Sequence, residues 1–240
     1  TPQPQPLHPI DLYQCQGCGL AQLLYEIPPE EIYKDYLYLT SSSVGLAAHF
    51  GEYAAKTIEV CGLQPGDLVV DIGSNDGTLL AAFKASGMRV CGVEASQPIA
   101  DLAEAAGIPT LCGYFDKALG IGKAKPITAN NVVANVNDLD AFMEGVLDLL
   151  ADDGYFVFES FYLGDVVRKM VFDFIYHEHL SAFSVKPVKA LMKRYGLELI
   201  RTEHVPTKGG SIRYFCQRYY ATRSTAAVED DDPALYEAQT

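Results

Sequence analysis

The stretch Leu68-Val-Val-Asp-Ile-Gly-Ser-Asn-Asp-Gly-Thr-Leu-Leu80, followed by Gly92-Val-Glu-Ala-Ser96, decides the fold. Leu68, Val69, Val70 and Ile72 surround a single acid, Asp71, as in a strand buried on both faces. Gly73 to Gly77 predict a tight turn, and Thr78 to Ser86 predict the helix that the turn opens. A second apolar run, Arg89 to Val93, ends at Glu94, which stands 23 residues beyond Asp71. That spacing is one strand-helix-strand unit, and an acid at the end of the second strand can accept from both hydroxyls of a ribose. The segment reads as a nucleoside pocket on a parallel sheet.

The composition of the turn narrows the nucleoside. A dinucleotide fold uses Gly-x-Gly-x-x-Gly, whose middle glycine lets a pyrophosphate touch the backbone. Here Ser74, Asn75 and Asp76 stand between only two glycines, and a pyrophosphate would meet a carboxylate. S-adenosylmethionine has no phosphate and carries an ammonium and a sulfonium, so Asp71 and Asp76 favour it. The candidate cofactor contacts are Asp71, Gly73, Ser74, Asn75, Asp76, Gly77, Glu94 and its neighbour Ala95. Asn130 and Asn131, at the end of a later strand, join them. The plain alternative is a strand-turn-helix whose glycines only permit the bend.

Outward from this unit, the chain has 240 residues, 49% of them hydrophobic and 20% charged, enough for one substantial core and a small appendage. No apolar run approaches the ~20 residues of a membrane span, and Thr-Pro-Gln-Pro-Gln-Pro does not resemble a secretory signal, so the expected location is the cytoplasm. A formal net charge of −13 repels a phosphate backbone and disfavours nucleic acid as a partner. A small-molecule substrate is expected instead; if it is anionic, Lys208, Arg213 and Arg218 are the cations to gather around it. Cys61, Cys91 and Cys112 sit in or beside apolar runs, which argues for reduced thiols rather than a disulfide framework.

Residues 1–43 form a distinct cap, proline-rich, with Cys15-Gln-Gly-Cys18 and the tyrosines Tyr33, Tyr36 and Tyr38. Residues 44–220 follow as one α/β domain. Ser43 to Val60 predict a helix, N-capped by Ser41, Ser42 or Ser43. Then come helix Pro98–Ala106, strand Thr110–Cys112, strand Ile127–Val133, helix Asp138–Leu150, strand Tyr155–Phe158 and helix Val185–Tyr195. Leu197–Val205 and Ser211–Tyr219 are strand-like and joined by a turn at Gly209-Gly210. The order predicts a doubly wound, Rossmann-like sheet ending in an antiparallel hairpin, with its ligand at the carboxyl ends of the strands. Residues 221–240 have no core pattern and read as a linker or tail.

Several segments together resemble a known family: Leu37-Tyr-Leu-Thr-Ser-Ser42, Asp71-Ile-Gly-Ser-Asn-Asp-Gly77, Ala129-Asn-Asn-Val-Val133, Gly154-Tyr-Phe-Val-Phe-Glu159, Ile175-Tyr-His-Glu-His-Leu180 and Gly209-Gly-Ser-Ile-Arg213. The chain is similar to the S-adenosylmethionine-dependent C-methyltransferases of nucleotide-linked deoxysugars, those like the tetronitrose C-3-methyltransferase, over roughly residues 11–220. The resemblance implies a class I methyltransferase domain, flanked in the family by a four-cysteine zinc module and a C-terminal domain. Cys15 and Cys18 look like the second zinc pair; the ligand set for the implied Zn2+ is incomplete in this chain, so either the sequence is a trimmed piece of a longer protein or the metal site is partial.

Tyr176-His-Glu-His179 is the densest titratable cluster, flanked by apolar Phe174, Ile175 and Leu180, an environment that perturbs pKa values. C-methylation needs a base that takes a proton from a carbon next to a ketone, after which the enolate attacks the sulfonium methyl. Histidine suits that task near neutral pH. The resemblance makes His179 the base, with Tyr176 and Glu178 positioning it and a nucleotide-linked keto-sugar. Tyr38, His177, Lys208 and Arg213 are the further substrate candidates, each with a packing or turn-forming alternative. A metalloprotease reading fails, because His-Glu-x-x-His would need histidine where Ser181 stands. Asn135 replaces a histidine of the family after the fourth strand; an amide cannot shuttle a proton, though it can donate to an enolate oxygen. The competing functions are an O- or N-methyltransferase on another small molecule and a non-catalytic S-adenosylmethionine-binding module.

Overall fold

A computed structural model describes residues 7–33, 39–42, 45–116, 119–219 and 229–230. Tyr36 and Tyr38, and nearly all of the 221–240 segment, lie outside the described residues.

The first apolar run of the nucleotide-binding pattern is β3 of the chain. Ahead of it come β1 (Leu12–Gln14), β2 (Ala21–Leu23), α1 (Pro29–Tyr33) and α2 (Leu46–Cys61). The strand-helix unit is β3 (Leu68–Ile72), α3 (Thr78–Ala85) and β4 (Arg89–Glu94), continued by α4 (Gln97–Ala105) and β5 (Thr110–Cys112). Next are β6 (Ala124–Asn130), α5 (Leu139–Leu149), β7 (Leu150–Phe161), α6 (Leu163–Lys169) and β8 (Ser181–Ala182). The chain closes with α7 (Val185–Arg194), β9 (Leu197–Val205), β10 (Ser211–Arg218) and β11 (Glu229–Asp230).

The large sheet has the order β11-β9-β10-β7-β6-β3-β4-β5. Strands β5, β4, β3, β6 and β7 are mutually parallel, while β10 runs antiparallel between β7 and β9. This is the doubly wound sheet with one reversed strand near its edge. Strand β3 is buried because its two faces meet two different clusters: Val70 and Ile72 pack with Ile127, Ala129, Phe156 and Phe158, whereas Val69 packs with Leu79, Leu80 and Phe83 of α3. The order reverses at β3, so β3, β4 and β6 present their carboxyl ends around one crevice. Since β9 runs with β3, the β9–β10 turn lies at the same edge.

Three boundaries differ from the periodicity. The fourth strand begins at Ala124 and stops at Asn130, because Asn131 adopts a left-handed conformation (φ 57°) and a 3-10 turn, Val133–Asn135, follows. Strand β7 is far longer than Tyr155–Phe158, and its pairing with β6 slips between Ala124 and Pro126, where proline cannot donate. Helix α2 starts after Gly45 with no side-chain cap among the described residues; Ser41 is held through its backbone by Asp76, and Ser43 lies outside the described residues. By contrast Asp138 caps α5, its carboxylate accepting from Ala141 N at 2.9 Å.

The cap is tied to the large domain. Strands β1 and β2 form a three-stranded sheet with β8, which directly follows the Tyr176–His179 segment. Leu23 N donates to Leu180 O at 2.9 Å, and Ala21 is buried in the same cluster as Ala182 and Phe183.

Candidate active site

The turn after β3 is held by β4. Gly73 N and Ser74 N both donate to Val93 O, at 2.8 and 3.1 Å. Gly73 has φ 69°, and a Cβ there would stand 2.4 Å from a Val132 methyl, so glycine is required on both counts. Glu94 is 8% exposed and folds back toward this turn: its two oxygens accept from Asn75 N at 3.0 Å and Ser96 N at 2.9 Å. Each carboxylate oxygen keeps a further lone pair for a ligand hydroxyl. Burial raises the Glu94 pKa against those hydrogen bonds.

The two aspartates of the turn have separate fates. Asp71 is fully enclosed in the strand, accepts from Thr128 Oγ1 at 2.6 Å, and burial pushes its pKa up to about 7. Asp76 faces the other way. Its carboxylate accepts from Thr78 N and Oγ1, at 3.2 and 2.5 Å, and from Ser41 N at 2.8 Å. Asn75 Oδ1 accepts from Thr40 N at 2.8 Å. The 40–42 turn is thus latched onto the glycine turn by two backbone donors that sequence periodicity does not signal.

A cofactor that needs polar partners finds them here. Among the described residues, both amide atoms of Asn130 are buried without a partner, as is Ser74 Oγ. Unpaired buried amides are costly, and they lie where a nucleoside or amino-acid group would meet the carboxyl ends of β3 and β6. These residues fit S-adenosylmethionine: acids and amides line the crevice, with no glycine-borne phosphate cradle. Asn131 contributes differently, its backbone N donating to Glu159 O at 2.8 Å.

His179 occupies the adjoining region. It is 4% exposed, stacked on Phe161 with 4.6 Å between ring centres, and the Tyr176 ring lies tilted against it at 4.2 Å. Its Nδ1 lies 2.7 Å from Phe174 O. A carbonyl only accepts, so Nδ1 carries the proton and Nε2 keeps a lone pair, facing the Tyr176 hydroxyl at 3.3 Å. Burial above all drives the His179 pKa down to about 4, Lys208 adds to this, and the Phe174 carbonyl opposes it. The imidazole is neutral at pH 7. Burial and then Glu178 push the Tyr176 hydroxyl up to about 12, so it stays a phenol. Glu178 is half-buried, raised by burial and lowered by Lys208.

Arg213 is not available to a substrate phosphate. It is 4% exposed, its Nε and Nη2 donate to Glu159 at 3.3 and 2.9 Å, its Nη1 donates to Glu203 at 3.2 Å, and its guanidinium lies 3.9 Å over the Tyr53 ring. Glu159 further accepts from Thr207 Oγ1 at 3.0 Å and contacts His49 Nε2 at 3.1 Å. Burial alone would raise Glu159, but His49 and Arg213 outweigh it and hold the carboxyl low. Arg218 is also occupied, its Nη2 donating to the carbonyls of Leu147 and Leu150 at the opposite edge of the sheet.

The remaining candidates divide. His177 turns to the cap, with Nε2 2.8 Å from Pro9 O and its ring against Tyr25 and His8. Asn135 Nδ2 donates to Tyr33 OH at 3.0 Å while its Oδ1 is buried and has no partner among the described residues, so the amide presents an acceptor rather than the donor expected. In the cap, backbone N–H groups of Cys18 and Gly17 point at Cys15 and lower its pKa, the shape of half a metal knuckle. Among the described residues no third ligand joins Cys15 and Cys18, and two thiols alone do not fit a structural zinc site. No helix of the described residues is long and apolar enough to cross a membrane.

Comparison with known proteins agrees with this architecture. The methyltransferase-domain family matches residues 46–202. The C-methyltransferase NovU of Streptomyces niveus is 33% identical over 215 residues, covering 87% of this chain and 51% of the relative. The chain spans about half the length of that curated relative. Among solved structures, magnesium protoporphyrin IX methyltransferase from Synechocystis PCC 6803 with bound SAH superposes with a TM-score of 0.59 at 18% identity, covering 79% of this chain and 92% of that one. An S-adenosylmethionine-dependent methyltransferase from Clostridium acetobutylicum gives 0.58 at 13% identity, covering 80% and 96%. At those identities the likeness is one of fold. The chain belongs to the methyltransferase-domain family. The enzyme class expected from its glycine turn, an S-adenosylmethionine-dependent methyltransferase, is the one the family match and its relatives give.

Proposed function

We propose that the chain binds S-adenosylmethionine against Gly73–Gly77, Glu94 and Asn130 and methylates a carbon next to a ketone on a nucleotide-linked deoxysugar. When bound, S-adenosylmethionine supplies an electrophilic methyl on a sulfonium. The protein's part is the proton: His179 Nε2 takes it from the substrate carbon, its tautomer held by Phe174 O, while Tyr176 and Glu178 position ring and sugar. The neutral, buried His179, whose Nε2 lone pair faces only the Tyr176 hydroxyl among the described residues, is the observation that carries this reading, because an imidazole already protonated at pH 7 could not act as a base. The relative's description as a C-methyltransferase supports carbon as the acceptor. The sugar class rests on the joint resemblance of the Tyr176–His179 and Gly209–Arg213 segments.

The test is turnover with 13C-methyl S-adenosylmethionine against a panel of nucleoside-diphosphate-linked 4-keto-6-deoxyhexoses. The expected product carries its label in a methyl bonded to carbon, seen by NMR. A label bonded to oxygen or nitrogen would replace this reading by the O- or N-methyltransferase alternative, and binding without turnover on the whole panel would replace it by a non-catalytic module.

A further inference from the structure

Lys208 sits where a long side chain is unfavourable. Its φ and ψ are 50° and 45°, left-handed, and Gly209 and Gly210 after it have φ 75° and 135°. Each neighbour has a reason to be glycine: a Cβ on Gly209 would stand 3.1 Å from the Phe174 ring, and one on Gly210 would stand 1.8 Å from Asp165 Oδ2. At 208 glycine would also suit the backbone better, yet a lysine stands there. A residue kept in a strained conformation is a sign that its side chain is used.

The surroundings indicate that use. The turn is fixed to the base's own support: Gly209 packs on Phe174, whose carbonyl holds His179 Nδ1, and Thr207 donates to Glu159. Packing around the turn lowers the Lys208 pKa, while Glu178 and then Glu159 act on it the other way. Glu159 is already paired with Arg213 at 2.9 Å. Lys208 has no hydrogen bond and no ion pair within 4.0 Å among the described residues. It is an exposed cation without an ion-pair partner among the described residues, and its charge acts on His179 from the neighbouring turn. The donor expected for the enolate oxygen, the amide of Asn135, is given to Tyr33. A base as weak as His179 also needs the ketone polarised before the neighbouring C–H can ionise.

Resting on the function proposed above, we propose that Lys208 is a catalytic residue whose ammonium donates to the substrate's ketone oxygen and holds the charge that gathers there. As the C–H bond breaks, its proton goes to His179 Nε2 and its electron pair forms the C=C bond, moving the carbonyl pair onto oxygen beside Lys208. The carbon then takes the methyl, and the C–S pair leaves with the sulfur. Glu178 keeps the resting site close to neutral and, with Glu159 and His179, completes the titratable groups around the ammonium.

The test compares Lys208→Gly, Lys208→Met and Lys208→Arg with the wild type. Lys208→Gly relieves the backbone and is expected to melt no lower than the wild type, while kcat on the panel substrate falls about 100-fold or more, as for other oxyanion donors. S-adenosylmethionine affinity should be unchanged and Lys208→Arg should recover part of kcat. In the protein without substrate, NMR titration of His179 should show its pKa rising in Lys208→Gly, because a nearby positive charge has been removed. A fall confined to KM, or an unmoved His179 titration, would overturn the assignment. Wild type inactive on the whole panel would instead refute the keto-sugar reading, a result the variants do not mimic.

Discussion

Two carboxylate–cation clusters lie at the carboxyl edge of the sheet, and they are built to opposite ends. Around Glu159, Arg213 spends three donors on two carboxylates and stacks on Tyr53, with His49 and Thr207 closing the remaining positions. Around Glu178, Lys208 makes no hydrogen bond among the described residues and His179 keeps a lone pair beside a half-exposed tyrosine. The same residue types therefore serve two purposes. The closed cluster clamps α2, β7 and β10 together, and the open one leaves charge and basicity uncommitted at the mouth of a methyltransferase fold.

The largest expected effect on folding separates the two. Arg213→Met leaves Glu159 buried without its main cation and should cost about 3–5 kcal/mol in urea unfolding, the usual penalty for breaking a buried pair from one side. Lys208→Met should shift stability by no more than about 0.5 kcal/mol, as for a surface substitution. Comparable losses for both would erase the distinction.

The next test uses pH. The unfolded chain protonates His179 near its ordinary value of about 6.5, whereas the folded imidazole holds out to about 4. A depressed folded pKa gives stability that is fully present above about pH 6.5 and is lost as pH falls toward 4. Urea midpoints between pH 7 and 4 should therefore decline less steeply in His179→Asn than in the wild type; equal slopes would mean that the ring is not buried neutral. Asp71, raised to about 7, works in the reverse direction, and its contribution is lost as pH rises from about 4 to 7. A modest effect on cofactor affinity is expected at the crevice. Glu94→Gln keeps one acceptor oxygen and removes the charge, so S-adenosylmethionine should bind about tenfold more weakly by calorimetry, about 1.4 kcal/mol.

The contrast between the clusters also explains what could be read from the chain. The cofactor crevice is almost contiguous: strand, glycine turn and Glu94 fall within 27 residues from Leu68 to Glu94, so apolar runs and glycine spacing expose it. The sheet order follows from the same alternation, and Asp138 announces α5 as a cap. The closed cluster is invisible to such patterns because His49 and Arg213 reach Glu159 from 110 and 54 positions away. Arg213 consequently reads as a free cation beside a glycine turn, and no local pattern joins His49, Tyr53 and Glu159 to it. Strands β1, β2 and β8 are only two or three residues long, too short for a period-two pattern to register. His177 is displaced from the site by a contact with Pro9, another pairing across most of the chain.

The central claim is that His179 removes a proton from carbon. The direct measurement is loss of deuterium to solvent from the position next to the ketone of a 4-keto-6-deoxyhexose nucleotide, with S-adenosylhomocysteine filling the cofactor crevice. Wild type should exchange the label, and His179→Asn should slow that exchange about 100-fold or more while binding the cofactor equally well. Methyl transfer by the wild type with the label fully retained at every carbon would contradict the account.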